Sequence, residues 1–460
     1  MQQIISGLRG SSITKVIGIG FLILVLLIPI GMTGGVVDDR IRFAREAQED
    51  IMRSWGGAQI IGGPILVIPY RISPRNYYDN RTVESGNIYI LPEELSIDAV
   101  LEPGVRSRGL HDIPVYTANT VMRGAFAAPD ITGLGIDNLL IDLNRAYFAL
   151  SITDAKAVRN TPAISINGQL SPFEAGGIQI PGFHPQIVAL AGEILDADAQ
   201  SDGFAFSISL DVSGTDQLRY LPLADSTSVS IHSTWDSPSF IGGHLPETRD
   251  VREDGFDAAW RISNLGRDLP SRWTSESYQY QQAERSSFGV GLFVPVGMYQ
   301  LADRATKYAV LIIGLTFVGY FLFEVISRLH LHPLQYLLVG FANTLFYLLL
   351  LSFSEHIGFG WAYLVSAAAS TMLIGGYSGS ILVSQRRAAV IVGMLAGLYG
   401  FLYLTLNAEN YALLAGSLGL WVILGLVMYL TRGIDWHNWG NDDTNDQDDN
   451  QTEMFVGQSG

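Results

Sequence analysis

Two apolar runs follow one another closely between residues 307 and 360, and they limit the possible folds more than any other feature of the sequence. Each run is about 20 residues long, which at a helical rise of about 1.5 Å per residue covers the hydrocarbon core of a bilayer. A short turn separates the runs, and a tight polar loop follows the second one. This arrangement predicts two membrane-spanning helices, with a large polar region upstream and further apolar segments downstream.

Four more apolar runs extend the pattern. We predict membrane-spanning helices at residues 16–32, 306–323, 334–353, 361–383, 388–406 and 411–430. The last five form a predicted helical bundle over residues 304–432. The first run has an alternative interpretation as a secretory signal peptide. However, the apolar part of a signal peptide is usually about 7–15 residues long and ends at a clearer cleavage site than Thr33-Gly34-Gly35.

The composition agrees with a membrane protein and excludes two kinds of site. Only 16% of the residues are charged, whereas soluble domains average about 25%. The net charge of −16 argues against a nucleic-acid partner, because proteins that bind nucleic acids present basic surfaces. The chain has no cysteine, which excludes disulfides and metal sites built on thiolates.

The region between the first helix and the bundle, residues 33–303, is predicted to be a β-rich domain led by an amphipathic helix. That helix covers residues 38–53 and either connects to the domain by packing on it or lies on the membrane surface. From Trp55 to about Val296, short apolar segments alternate with turn signals such as Asp202-Gly203. This pattern predicts an antiparallel, sandwich-like fold.

Arginine placement predicts the orientation of the helices. Arg386, Arg387 and Arg432 lie in loops on one side of the predicted bundle, together with Arg328. The positive-inside rule places those loops in the cytoplasm, so the β-rich domain is expected outside the membrane and both chain termini inside. Residues 1–15 are then a cytoplasmic N-terminus. Residues 433–460, rich in Asp and Asn, are predicted to be a cytoplasmic, disordered acidic tail.

The turn between the first two runs of the bundle carries four candidate functional residues: Glu324, Arg328, His330 and His332. An ionised residue inside a span is costly and is therefore a candidate for transport or signalling. Alternatively, Glu324 pairs with Arg328 four positions later. The two histidines lack a third ligand other than Glu324, so we favour headgroup contact or loop packing over metal binding.

The polar loop after the second run carries Glu355 and His356. Adjacent acidic and imidazole groups are a possible acid–base pair, but neighbouring residues seldom face each other. We favour a role in capping the next helix or contacting the β-rich domain. The sequence contains no GxSxG, HExxH or P-loop motif. We therefore predict no catalytic residue, no metal and no cofactor.

Polar and small residues inside the apolar runs predict contacts between helices. The polar ones are Asn343, Thr344, Ser366, Ser370 and Thr371. They are expected to form hydrogen bonds between helices, as buried polar side chains do in membranes. Gly393 and Gly397 are four positions apart and are expected to allow a close helix approach. A substrate path through the bundle is the alternative interpretation of these residues.

Several long motifs resemble those of the CreD family of inner membrane proteins, also called cell envelope integrity proteins. The motifs are RSRGLHDIPVYTA, STWDSPSFIGGHLPE, GFDAAWRIS, RLHLHPLQYLLVG, YLLLLSFSEHIGFGWAYL, YGFLYLTLNAENYALLAGSLGL and VMYLTRGIDW. The resemblance extends from the first helix to about Trp436. It implies an inner membrane location in Gram-negative bacteria, association with the Cre two-component regulon, and a role in envelope integrity or the response to β-lactams. It implies no catalytic residue.

The resemblance and the residues together predict a non-enzymatic inner membrane protein that supports envelope integrity or a stress response. Its periplasmic β domain is expected to bind an envelope protein or a cell-wall component, and its helices to contact membrane lipids. The alternative prediction is a transporter or lipid-handling protein that acts through the helical bundle.

Overall fold

The computed structural model describes thirteen stretches of the chain. They are residues 12–72, 85–109, 111–129, 139–176, 180, 182–192, 202–267, 269–275, 283–292, 297–327, 331–382, 384–408 and 411–432. The chain divides into two compact units. A helical unit comprises Met1–Phe43 with Val296–Gly460, and a β unit comprises Ala44–Pro295. Arg328, His330 and the predicted tail lie outside the described residues.

Seven α-helices occur within the described residues. They are α1 Ser12–Trp55, α2 Met298–Lys307, α3 Ala309–Ser327, α4 Pro333–Ile357, α5 Phe359–Ile381, α6 Gln385–Asn407 and α7 Ala412–Thr431. All except α2 are long and apolar enough to cross a membrane. Within the described part of the chain, the prediction of six helices of membrane-spanning length is therefore confirmed.

Helix α1 differs from the prediction. Residues 16–32 and 38–53 were expected to form two helices, but they belong to one continuous helix of 44 residues. Pro29 lies inside it, and the Thr33 hydroxyl donates a hydrogen bond to the Pro29 carbonyl at 3.0 Å. Gly34 packs near Thr306 of α2. A single proline or a glycine pair weakens a helix, but tertiary contacts override that local preference.

Apolar side chains from the described helices of the helical unit pack into a shared core. Large side chains from α1, α3, α4 and α6 are fully buried in it, among them Leu26, Phe317, Phe346 and Leu395. Helix α7 contributes no buried residue over its apolar window. An apolar helix with an exposed surface on this scale suits a lipid environment, where burial inside protein is not required.

The β unit contains two sheets. Within the described residues, the ten-stranded sheet consists of β1 Gln59–Ile72, β2 Ser85–Ile90, β5 Leu139–Ile141, β6 Tyr147–Ile152, β9 Glu174–Ala175, β10 Gln186–Leu190, β12 Gln217–Tyr220, β14 Pro238–Gly242, β17 Arg272–Thr274 and β18 Phe288–Leu292. The eight-stranded sheet, in the same part of the chain, consists of β3 Glu94–Arg108, β4 His111–Phe126, β7 Ala163–Ile166, β8 Gln169–Pro172, β11 Phe204–Thr215, β13 Ser226–Ser233, β15 Thr248–Arg252 and β16 Gly255–Ser263.

The sheets are mixed, which corrects the prediction of an antiparallel fold. The main path of the larger sheet is β14-β18-β12-β1-β6-β10-β9, and the order of the smaller one is β15-β16-β13-β3-β4-β11-β7-β8. Strand β1 is parallel to β12, and β3 is parallel to β13. Each parallel pair joins strands that are far apart in sequence, as parallel strands require a long crossover connection. The alternation of apolar and polar residues along a strand does not reveal which distant strand it pairs with.

Both sheets contribute to one cluster of buried side chains. In β3, Leu95, Ile97, Ala99 and Leu101 point into it, while the residues between them are exposed. The eight-stranded sheet therefore keeps a polar outer face along β3, β13 and β16. Strand β1 is buried on both faces, because a second apolar cluster covers the other side of the ten-stranded sheet. The polar outer face is the surface of the β unit that concerns function.

Candidate functional site

Glu324 is the most deeply buried carboxylate that the sequence singled out. It lies near the end of α3, and its side chain is only 2% exposed. The Lys15 amine of α1 donates to Glu324 Oε1 at 2.8 Å, and the Tyr336 hydroxyl of α4 donates to Glu324 Oε2 at 3.0 Å. The backbone N–H of Leu331 is 3.4 Å from Oε1. These residues, the Glu324 cluster, join three helices around one negative charge.

Of the three candidate residues predicted beside Glu324, the structure describes His332. Arg328 and His330 lie outside the described residues, so the predicted pair between Glu324 and Arg328 stays a prediction. His332 begins α4 as its capping residue. Its Nδ1 accepts a hydrogen bond from Leu334 N at 3.2 Å, and its own N–H donates to Gln335 Oε1 at 3.0 Å. The imidazole therefore has a structural role at a helix start.

Glu355 occupies a second cluster, near the end of α4, that also contains one cation and one tyrosine. Its Oε1 accepts from Arg40 Nε of α1 at 3.1 Å and from the Tyr299 hydroxyl of α2 at 3.3 Å. The Glu355 side chain is 8% exposed. Burial, together with the negative charge of Glu355, raises the pKa of Tyr299, so this hydroxyl remains a donor. These residues form the Glu355 cluster.

His356, the neighbour of Glu355, does not join that cluster. Its Nδ1 lies 3.1 Å from the Ser352 carbonyl of its own helix. Helix α5 begins at Phe359, and the residue before it, Gly358, provides no side-chain cap. The hydrogen bonds of Glu355 and His356 go to other partners. The two adjacent residues thus point to different partners, and Glu355 is already engaged by a cation and a phenol. Glu355 and His356 therefore do not pair with each other as an acid and a base.

The two clusters lie at opposite ends of the part of α1 that belongs to the helical unit. Lys15 and Arg40 are 25 positions apart, which corresponds to about 37 Å along a helix. The hydrocarbon core of a bilayer is about 30 Å thick. Each cation therefore falls near one boundary of the apolar layer, where pairing with a carboxylate limits the cost of a buried charge.

The last turns of α1 belong to the β unit. Trp55 lies between two guanidinium groups, with Arg106 4.2 Å and Arg159 4.4 Å from its ring centroid. Its indole N–H donates to the Tyr116 carbonyl at 3.2 Å. Asp50 accepts from Arg108 at 2.7 Å. Three of these contacts fall within the motif RSRGLHDIPVYTA, which gives that motif a structural role in holding the helix end.

The outer face of the eight-stranded sheet carries a groove that the sequence did not indicate. Two adjoining depressions of about 260 and 250 Å³ cross β3, β13, β16 and β15. Their floor consists of small side chains at neighbouring register positions, namely Ser96, Ser228, Ser230 and Ala259. We call this surface the sheet groove. It forms because small residues on adjacent strands leave the pleated face lower than its surroundings.

Charged residues of both signs border the sheet groove. At one end, His232 Nδ1 donates to Asp257 Oδ1 at 2.8 Å, and Arg252 also donates to Asp257. The hydrogen bond from His232 holds the pKa of Asp257 below its usual value of 3.8. Arg249 and Arg261 line the two depressions, and neither has a hydrogen-bonding or ion-pair partner within the described chain.

Sequence reasoning identified the carboxylates but missed their partners. Lys15 and Tyr336 are 309 and 12 positions from Glu324, and Arg40 belongs to a segment interpreted as a surface or connecting helix. Lys15, directly before the first apolar run, is the signal in the sequence that could have indicated a partner for Glu324. Among the described residues, no group of three or more His, Asp and Glu side chains is arranged to hold a metal ion.

Comparison with known proteins places these features in a family. The family described as "Inner membrane protein CreD" matches residues 11–437. A protein of that name from Escherichia coli (strain K12) is 32% identical over 419 residues, which cover 90% of this chain and 91% of the relative. The match includes all six helices of membrane-spanning length, so this is a multi-pass inner membrane protein. The chain belongs to the CreD family.

Proposed function

We propose that this protein supports the integrity of the cell envelope, or its response to stress, without catalysing a reaction. In this proposal the β unit lies outside the inner membrane and binds an envelope protein or a cell-wall component. The observation that carries the proposal is the sheet groove. Arg249 and Arg261 border it without partners in the described chain, and unpaired guanidinium groups on an exposed face suit carboxylates of an extended polar ligand.

The predicted orientation supports the placement of the β unit. The first turn of α6 carries Arg386 and Arg387, and Arg432 directly follows the last residue of α7. The positive-inside rule assigns them to the cytoplasm, and the β unit, which follows α1, then faces the opposite side. In that orientation both chain termini are cytoplasmic.

The state of the buried carboxylates supports a role other than catalysis. Glu324 and Glu355 are each bound by one cation and one tyrosine hydroxyl. A general base accepts a proton from a substrate, whereas the donors given for these carboxylates belong to neighbouring helices and turns of the protein itself. Their geometry fits the joining of helices.

Replacing a floor residue of the sheet groove tests the proposal. Ser228→Trp fills the groove with a large side chain, and it is expected to abolish rescue of a deletion strain in assays of detergent and β-lactam sensitivity. Ser209→Trp is the matched control, because Ser209 is an exposed serine on the same sheet, two strands beyond β3. Equal rescue by both variants at equal protein levels would contradict a binding role of the groove.

Removing the β unit tests the broader claim. A chain that retains only the helical unit is expected to insert in the membrane but to leave the deletion phenotype uncorrected. Full rescue by that chain would contradict the proposal that the β unit carries the function.

The buried charge of Glu324 favours a second candidate, transport or lipid handling through the helices, because ionised residues within a span often mark a pathway. Glu324→Gln and Lys15→Met break the same ion pair from its two ends. Transport predicts that only Glu324→Gln abolishes function at normal protein levels. Similar behaviour of the two variants indicates that the pair is structural and counts against this candidate.

A further inference from the structure

Three polar groups in the core of the helical unit have no hydrogen-bonding partner within the described chain. They are Asn343 Nδ2 and the Tyr347 hydroxyl of α4, and the Ser366 hydroxyl of α5. Asn343 and Ser366 are 0% exposed, and Tyr347 is 2% exposed. An apolar layer contains no solvent that satisfies such groups, so leaving them unpaired costs free energy.

Other buried hydroxyls of the helical unit show how such groups are normally satisfied. The side chains of Thr316, Thr344, Ser378 and Thr405 each donate to the carbonyl four positions earlier, at 2.6–3.0 Å. Ser366 is also a buried serine within a helix, yet it makes no such bond. Its hydroxyl is therefore free to bond to something between the helices.

The three unpaired groups belong to helices α4 and α5, and both helices bond to Tyr399 of α6. The Tyr399 hydroxyl donates to Asn343 Oδ1 at 2.9 Å, and the Tyr363 hydroxyl donates to the Tyr399 carbonyl at 2.6 Å. Tyr347 lies one turn from Asn343 on α4, and Ser366 lies one turn from Tyr363 on α5. Residues three or four positions apart share a helix face. All of these polar atoms thus lie where α4, α5 and α6 meet.

The site is deep within the spanning segments. Asn343 is 10 positions from the start of α4 and 14 from its end, or about 15 and 21 Å along the helix. Its surroundings are neutral. Among the described residues of the helical unit, the most buried carboxylates are Glu324 and Glu355, and each is paired with a cation in the clusters described above. A charged ligand has no counter-charge here, whereas a small neutral hydrogen-bonding ligand has several partners.

We propose that Asn343, Tyr347 and Ser366 bind internal water within the helical unit, beside Tyr399. One water molecule donates two hydrogen bonds and accepts two, and buried water typically bonds to about three otherwise unsatisfied polar groups. The amide and the two hydroxyls supply that number. This polar core site is separate from the sheet groove and from both carboxylate clusters, and it does not depend on the proposed function.

X-ray footprinting of the full-length protein in lipid nanodiscs tests the proposal. Radiolysis of bound water generates hydroxyl radicals in place, which oxidise an adjacent tyrosine even when bulk solvent does not reach it. Tyr347 and Tyr399 are expected to be oxidised. Tyr320 is the internal reference, because it is equally buried and its hydroxyl is paired with Ser378. Oxidation of Tyr347 and Tyr399 no higher than that of Tyr320 would overturn the proposal.

A variant locates the source of the radicals. Asn343→Leu combined with Ser366→Ala removes two of the three partners, and oxidation of Tyr347 is then expected to fall to the level of Tyr320. Unchanged oxidation in a folded variant would also overturn the proposal, because the radicals would come from elsewhere. If the variant does not fold, the comparison of the three tyrosines in the unsubstituted protein decides the question.

Discussion

At the scale of single residues, the two buried carboxylates follow one rule. Glu324 and Glu355 each accept from a cation of α1 and from a tyrosine of another helix. A cation alone neutralises the charge, but a carboxylate has more lone pairs than one donor satisfies. The tyrosines supply the second donor. The same chemistry, used at two places, joins α1 to the other helices of its unit.

Breaking the Glu324 pair from one side should destabilise the protein. Glu324→Gln leaves the Lys15 amine without its counter-charge, and we expect a loss of about 1–3 kcal/mol. The figure is below that for a fully buried pair, because the Lys15 side chain is 37% exposed. Thermal unfolding in nanodiscs measures the effect.

A double-mutant cycle and a surface control make this test specific. Lys15→Met added to Glu324→Gln should cost less than the sum of the two single changes, because both remove the same interaction. Asp303→Asn breaks an exposed pair with Lys307, and it should cost about 0.2–0.5 kcal/mol. Additive effects of the two substitutions would show that Glu324 and Lys15 do not interact energetically.

Asp257, at the end of the sheet groove, should titrate below its usual pKa of 3.8 because His232 donates to it. A lowered pKa in the folded state means that the contribution to stability is present above pH 3.8. It is lost as the pH falls through the lowered pKa. The carboxyl ¹³C shift of Asp257 against pH reports this. His232→Phe should move the midpoint upward, and an unchanged midpoint would refute the role of His232.

At the scale of helices and strands, the close approach of two helices depends on where a glycine lies along its helix. The presence of a glycine alone does not ensure it. A Cβ on Gly340 of α4 would lie 2.2 Å from Leu26 of α1, whereas a Cβ on Gly393 or Gly397 of α6 would meet nothing within 4 Å. The expected close approach at Gly393 and Gly397 is therefore not found within the helical unit. A four-residue spacing identifies a small face but not the partner.

Substitution by alanine tests this difference. Gly340→Ala should destabilise the protein by about 1–3 kcal/mol, because the added methyl group forces Leu26 out of its position. Gly393→Ala is the matched control and should be neutral or slightly stabilising, since alanine favours helix formation. Thermal unfolding of the two variants under the same conditions compares them. Equal midpoints would contradict the packing described for Gly340.

The continuity of α1 should matter for function, because the helix contributes to both units. Gly35→Pro removes a helical hydrogen bond and interrupts the helix, at a cost of about 3 kcal/mol. We expect that this variant does not rescue the deletion strain. Limited proteolysis should show that each unit stays folded. Gly35→Ala has open space for its methyl group and should rescue fully. Rescue by Gly35→Pro would mean that an uninterrupted helix is dispensable.

At the scale of the whole molecule, the side of the membrane that holds the β unit is the most informative measurement. The chain has no cysteine, so a single introduced cysteine reports its own location without background. Ser230→Cys, on the exposed face of β13, should react in spheroplasts with a maleimide that does not cross membranes. Reaction only after lysis would place the β unit in the cytoplasm and reverse the predicted orientation.

Local sequence patterns determined a large part of this architecture. The length of an apolar run decides whether a helix spans a bilayer, and two-residue alternation places Leu95, Ile97 and Ala99 on the buried face of β3. Both properties depend only on neighbours in the chain. They are therefore visible without a structure, as are the number of spanning helices and the β-rich character of the region between them.

The tertiary structure decided what local patterns do not encode. Lys15 meets Glu324 across 309 positions, β3 pairs in parallel with β13, and α1 continues through Gly34 and Gly35. The sheet groove exists only because Ser96, Ser228 and Ala259 become neighbours on three strands. Such contacts depend on the packing of distant segments, whose combined burial outweighs the local preference of any one residue.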